Sequence, residues 1–392
     1  MSGRFVRAVH SIAVLLLGMG SGTALAQDEL FVASAVTNSV MVYPRTASGN
    51  VAPLRTIVGA ATGLSAPTGV AVDTVNGELI VVSLGNQSIR VFSTTANGNV
   101  APLRTIAGGS TGLNLPFRVA VDPVNNELVV VSSDHISVYA RTANGNVLPL
   151  RTLTDVTGLF SPTGVAVDAV NNELVATNSS PSSVRIYART ANGDVPPLRI
   201  IAGGATGLLG PFGVALDLVN NELAVANGLS SIVVFARTAN GDVAPLRTLS
   251  GAATGLNSTR GPAVDAVNNE LAVANTANNS VTVYSRTANG NVAPLRTLAG
   301  AATGLIAPQS LAITTAAAPP TPTPTSTPTL APTSTPTSTP TAAPTLTPTS
   351  TPTPAAPAAG GVAVPTLDAW GLIALTLIIA AIGVFAIRRM GP

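Results

Sequence analysis

One phrase recurs six times along this chain and limits what it can fold into. It reads RTASGNVAPLRT at 45–56, TTANGNVAPLRT at 94–105, RTANGNVLPLRT at 141–152, RTANGDVPPLRI at 189–200, RTANGDVAPLRT at 237–248 and RTANGNVAPLRT at 286–297. The arginine of each PLR tripeptide falls at Arg55, Arg104, Arg151, Arg199, Arg247 and Arg296, spaced by 49, 47, 48, 48 and 49 residues. A unit of this length cannot bury an apolar face alone, and its period is that of a propeller blade.

Within a unit, short apolar segments alternate with period two between turn signals, as strands do. One copy reads PTGVAVD (162–168), VNNELVATN (170–178), SSVRIYA (182–188) and NGDVPPLRIIAG (192–203). Four strands follow: A on GVAVD, B on ELVAT, C on SVRIY and D on PLRII. Asn-Gly recurs between C and D at Asn97-Gly98, Asn144-Gly145, Asn192-Gly193, Asn240-Gly241 and Asn289-Gly290. Asn and Gly tolerate the positive φ of tight turns, so this dipeptide predicts a hairpin between antiparallel C and D. Asp-x-Val-Asn-x-Glu-Leu marks the A–B turn, where Asp and Asn can hydrogen-bond local backbone.

The array opens in mid-unit, with strand B at 29–34, C at 39–43 and D at 53–58, and closes with a lone A-like strand at 308–313. Pairing the two ends completes a sixth blade and leaves no open terminal edge. The expected fold class is therefore all-β: a six-bladed β-propeller over 27–315, four antiparallel strands per blade, with a split closing blade. The pattern Pro-x-Gly-Val-Ala-Val-Asp, Glu-Leu-x-Val-x-Asn, Ser-Val-x-Val-Tyr resembles the NHL repeat and its six-bladed propellers. That family usually carries Asp after strand B, where this chain has Ser34, Ser83, Ser132, Asn178, Asn227 and Asn275.

The flanks concern address. Residues 1–26 combine Arg4 and Arg7, an apolar run from Ile12 to Leu17 and a closing Ala24-Leu25-Ala26, the layout of a secretory signal peptide. Residues 316–361 form a Pro/Thr/Ser-rich linker, 316–358 almost wholly in TPT and TSTP units, which reads as a disordered, extended stalk rising about 3.1 Å per residue. At 362–392, the apolar run 371–387 is just long enough for a transmembrane helix, with Trp370 at one interface and Arg388-Arg389 on the cytoplasmic side. Val-Pro-Thr-Leu, then Trp-Gly, an apolar helix and an Arg pair resemble the IPTL-CTERM sorting signal of Gram-negative bacteria. The matching residues are Pro365, Thr366, Leu367, Trp370, Gly371, Arg388 and Arg389. That resemblance implies a membrane-anchored, exported protein handled by an exosortase-type processing enzyme and delivered to the envelope or surface.

The chain has no Cys, so disulfides and thiolate metal sites play no part. Setting aside Arg4, Arg7, Arg388, Arg389 and Asp368 leaves 15 basic against 16 acidic residues for the repeat region. Nucleic acid is thus an unexpected partner, because phosphate contacts need a local surplus of cations.

Catalytic side chains are few. His135, in Ser-Asp-His-Ile, has Asp134, Ser133 and Ser132 as chain neighbours, but a catalytic triad is built from separated positions. Some propellers resembling this one are calcium-dependent lactonases and esterases, whose acids and Asn converge on a central ion. Here the positions just before GVAVD read Thr68, Phe117, Thr163, Phe212, Arg260 and Gln309, with no acid. Calcium needs carboxylate oxygens, and Arg118 and Arg260 would oppose a cation, although Asn178, Asn227 and Asn275 could offer neutral oxygens. The recurring pairs Asp73/Glu78, Asp122/Glu127, Asp168/Glu173, Asp217/Glu222 and Asp265/Glu270 read as turn caps and partners of a repeated Arg. The aromatic series Tyr43, Phe92, Tyr139, Tyr187, Phe235 and Tyr284 reads as inter-blade packing. A–B and C–D turns share a nearly uniform face; B–C and D–A connections share the varied one, with Asn86-Gln87, Asp134-His135, Ser180-Pro181, Gly228-Leu229 and Ala277-Asn278.

The expectation is a non-enzymatic module binding an extracellular protein or glycan, with Phe117, Arg118, Phe212, Arg260, Asn178, Asn227 and Asn275 as candidate site residues and no cofactor. Two alternatives are a hydrolase of the lactonase type, for which calcium would be the metal, and a structural surface or matrix component.

Overall fold

The alternating segments become six antiparallel sheets of A, B, C and D strands in a computed structural model that describes residues 28–314 apart from Leu229. The expected signal peptide, stalk and membrane span at 371–387, and the sorting residues Pro365 to Arg389, lie outside the described residues. Among those that are described, no helix is long and apolar enough to cross a membrane.

Ring closure follows the expected arithmetic. Strand Pro308–Thr314 lies antiparallel against Glu29–Ser34, with Ile313 opposite Leu30 and Leu311 opposite Val32. With Ser39–Pro44 and Arg55–Ile57 it makes blade 1, so the two ends of the array share a sheet. Blades 2 to 6 follow in chain order. Their A strands are Pro67–Asp73, Arg118–Asp122, Pro162–Asp168, Gly213–Asp217 and Thr259–Asp265.

Each B strand is buried on both faces, as in Glu78–Ser83, because a blade packs against neighbours on either side. The core is consequently divided among blade interfaces. Ile80, Ile89 and Ile106 of blade 2 meet Leu128, Val130 and Tyr139 of blade 3. Complete burial of one such aliphatic side chain contributes about 1.5–3 kcal/mol. The aromatic series occupies these interfaces, as expected. Tyr43 of blade 1 packs on blade 6 and donates its hydroxyl to the Thr303 carbonyl at 2.5 Å.

The TANG segment corrects the reading as a tight hairpin. C and D are antiparallel neighbours, but Ser182–Ala188 and Arg199–Ile201 are joined by residues 189–198. The glycine of this loop crosses to the preceding blade and pairs in parallel with its strand D: Gly98 with Ile57, Gly145 with Ile106, Gly241 with Ile201, Gly290 with Leu249, and Gly49 with Leu298. In blade 4 it forms a short strand, Gly193–Asp194, against Arg151–Thr154. The next residue caps the connection beyond. Asn99 Oδ1 accepts from the Ala61 amide at 2.7 Å, and Asp242 Oδ1 does the same for Ala205. Each loop is thus a clasp that covers the outer edge strand of its neighbour, which would otherwise expose unpaired backbone groups.

Candidate functional site

The A strands approach so closely at one level of the ring that four of the six positions are glycine. That level is Gly69, Arg118, Gly164, Gly213, Gly261 and Ser310. A Cβ on Gly69 would lie 2.9 Å from the Phe117 carbonyl oxygen, and one on Gly213 only 2.4 Å from that of Arg260. Arg118 is the one long side chain here, and it is 5% exposed. Its guanidinium donates to the carbonyls of Thr68, of Phe117 at 3.2 Å and of Gln309 at 2.7 Å, tying blades 1, 2 and 3 together. Beside it lies a cavity of about 80 Å³, also lined by Val70, Val165, Val214 and Pro262.

Two cation–aromatic stacks form where Phe117, Phe212 and Arg260 each directly precede a residue of this lining. Arg118 lies over the Phe117 ring at 4.6 Å, and Arg260 over the Phe212 ring of the adjacent blade at 3.6 Å. Neither arginine meets a carboxylate among the described residues, and the Nε of each is buried without an acceptor. Burial, reinforced by the charge of Arg260, pulls Arg118 down to about 9; burial also lowers Arg260.

The three asparagines are engaged in the fold itself. Asn178, Asn227 and Asn275 are buried, and their Oδ1 atoms accept from the amides of Ser161, Leu209 and Asn257 at 2.8, 2.6 and 3.2 Å. Each asparagine thereby fastens the D–A connection entering its own blade, so these oxygens do not join the arginine cluster as ligands.

The repeated acids are engaged as the repeat suggested. Asp73 Oδ1 accepts from the amides of Val75 and Asn76, both at 3.1 Å, closing the A–B turn. Glu78 receives a two-pronged bond from Arg104 on strand D. The arginine opening the next clasp completes a blade-to-blade link: Arg141 to Asp73 and Glu78, Arg189 to Asp122, Arg237 to Asp168 and Glu173, Arg286 to Asp217, and Arg45 to Asp265 and Glu270. Among the described residues, no three His, Cys, Asp or Glu side chains gather as a metal site.

His135 bridges a loop instead of facing a nucleophile. Its Nδ1 lies 2.8 Å from Asp134 Oδ1, and its Nε2 lies 3.1 Å from the Gly112 carbonyl. Asn86 and Asn278 contact the carbonyls of Gly63 and Gly255 in the same way, so the histidine fills a structural position of the repeat.

One buried cluster escaped the sequence reading. Asp155 accepts from Arg185 Nη1 at 2.6 Å and from the Tyr187 hydroxyl at 2.9 Å. Its signal was a departure from the repeat in the connection, where Thr-Asp-Val-Thr-Gly-Leu replaces GxxTGL and gives Arg185 an acid that its counterpart Arg90 in blade 2 lacks.

Comparison with known proteins agrees with this architecture. Residues 362–389 match the IPTL-CTERM motif. A chain from the crystal structure of a nidogen/laminin complex superposes with a TM-score of 0.56 at 17% identity, covering 73% of this chain and 98% of that one. A functionally unknown protein from Desulfotomaculum acetoxidans DSM 771 superposes with a TM-score of 0.51 at 12% identity, over 73% of this chain and 98% of its own. No curated protein matches the sequence. The chain is therefore a six-bladed β-propeller whose tail carries an envelope-sorting motif; at these identities the likeness shows the fold alone.

Proposed function

We propose that this protein is a non-enzymatic binding module displayed at the cell envelope, and that its varied face meets an extracellular protein or glycan. The reading rests on one observation. Phe117, Arg118, Phe212 and Arg260 break the repeat together at the mouth of the ring, where they present stacked guanidiniums and no acid or nucleophile. On the same face, a polar groove of about 470 Å³ runs between Asn86-Gln87 of blade 2 and Gly108 to Asn114 of its D–A connection. The tail acts as the delivery device, its sorting motif presented to an exosortase-type enzyme.

The test is an array of envelope glycans and surface proteins probed with the full chain, run beside ester and lactone hydrolysis assays with and without calcium. Saturable binding that Arg260→Gln weakens supports the module. Calcium-dependent turnover would replace it with the hydrolase, and absence of both would favour a structural component.

A further inference from the structure

The arginines that open the clasps and end the PLR tripeptides are matched to acids. Those of the PLR tripeptides meet Glu29, Glu78, Glu127, Glu173, Glu222 and Glu270 at 2.5–2.7 Å. Six of them also carry an orphaned Nε, so that feature alone distinguishes nothing. What sets Arg118 and Arg260 apart is two cations acting on each other with no countercharge among the described residues; Arg90, which also lacks an acid, is isolated from them on strand C and bonds to the hydroxyls of Ser88 and Thr105. A buried cation without a partner is strongly disfavoured, and a second cation nearby adds repulsion.

Folding does not require this arrangement. At the level of Arg118 the other blades carry Gly or Ser, and at the level of Arg260 they carry Thr, Phe or Gln. The ring closes at those positions without a charge. The two side chains are nevertheless held in place, Arg118 by three carbonyls and a ring, Arg260 by a ring alone. Guanidiniums fixed in this way lose little freedom when they bind, and their planar donors match the oxygens of a carboxylate or phosphate. The adjoining cavity of about 80 Å³ has room for several waters or one small group.

We propose that the channel mouth between Arg118 and Arg260 is a binding site for an oxyanion, the carboxylate or phosphate group of a small ligand. The site deepens the binding reading of this face, on which it rests, by naming the chemistry it recognises. Arg260, the less buried cation, makes first contact, and Arg118 supplies the charge beneath.

The experiment is isothermal titration of the full chain, purified in a non-ionic detergent, with phosphate, acetate and glucuronate at constant ionic strength set by sodium chloride. One saturable site for at least one anion is expected, weakened about tenfold or more in Arg260→Gln through loss of a charge-assisted contact. Phosphate, acetate and glucuronate separate a tetrahedral anion, a free carboxylate and an acid carried on a sugar. Arg118→Gln should abolish binding; if that buried change unfolds the ring, Arg260→Gln decides, because the Arg260 guanidinium makes no hydrogen bond to the described residues. No saturable heat with any probe, or equal affinity in Arg260→Gln, overturns the site. Envelope-ligand capture that survives such a result would leave the binding module standing without its anion site.

Discussion

Arg104 grips Glu78 with both terminal nitrogens, Nη1 on Oε1 at 2.6 Å and Nη2 on Oε2 at 2.7 Å, while Nη2 also donates to the Arg141 carbonyl of the next blade at 3.0 Å. One side chain thus joins strands D and B of its own sheet and reaches across an interface. Arg141 returns the link to Glu78 at 3.2 Å. The same wiring recurs around the ring, so blade interfaces are held by aliphatic packing inside and by ion pairs near the uniform face.

Replacing Glu173 tests this wiring, since it accepts from Arg199 within its blade and from Arg237 in the next. Glu173→Gln removes the charge and leaves two guanidiniums facing an amide. A loss of about 3 kcal/mol is expected, read as a lower urea midpoint with an unchanged slope. A midpoint equal to that of the wild type would mean the pairs contribute nothing net.

The pairs also set an acid limit. Hydrogen bonding from Arg104 and Arg296 holds Glu78 and Glu270 below their ordinary value of 4.5. A depressed carboxylate contributes stability that is complete above its unfolded pKa and disappears as pH falls through the folded one. The melting temperature should therefore stay level with respect to these groups above about pH 5 and fall steadily below 4.5. A stability that rises on acidification through this range would contradict the assignment.

The clasp makes two glycines unequal. Gly98 has φ +73° with open space where a Cβ would go, whereas Gly59 has φ +119° and a Cβ would lie 2.5 Å from Asn99 Oδ1. Gly98→Ala should cost about 1 kcal/mol for left-handed backbone. Gly59→Ala should cost more, up to about 3 kcal/mol, because it also displaces the capping asparagine. Equal thermal shifts would place the asparagine outside the clasp.

Closure predicts what happens when it fails. Deleting residues 308–314 strips the inner strand from blade 1 and leaves Glu29–Ser34 as an open edge. Light scattering should show association, and melting should lose its single sharp transition, since an unpaired strand recruits other chains. A monomer with the original melting temperature would refute closure by strand pairing.

Calcium separates the two functional classes. Because the repeated carboxylates are already held by guanidiniums and amides, melting in millimolar calcium and in EDTA should coincide. A site of useful affinity would instead raise stability, by about 2.7 kcal/mol at a hundred times its dissociation constant, and would bring the hydrolase forward.

How much of this was legible depends on the distance over which each feature is encoded. Strand Glu173–Ser179 and its partners show in local alternation, which any reader of period two can find. The closing strand shows by count, since an A strand missing before Glu29 appears at Pro308. The clasp does not show. Asn97-Gly98 carries the local signal of a hairpin, and only the neighbouring blade's exposed edge, some forty residues back at Ile57, turns it into a parallel bridge.

The mouth of the ring divides in the same way. Arg118 and Arg260 stand out in the sequence because the five other copies lack Arg at each position, and Phe117 and Phe212 because only these two copies carry Phe, since six-fold repetition makes any departure visible. Asn178, Asn227 and Asn275 stand out equally, yet their oxygens face connecting loops.

By itself, the sequence determined the strand order, the blade number, the closing pair and the sorting tail, because periodicity, turn chemistry and apolar length are local properties of a chain. Tertiary structure decided which departures from the repeat converge. Whether Arg118 is buried beneath three carbonyls, and whether Asp155 finds Arg185 and Tyr187, depends on how closely separate strands approach. That spacing is set by packing around the whole ring.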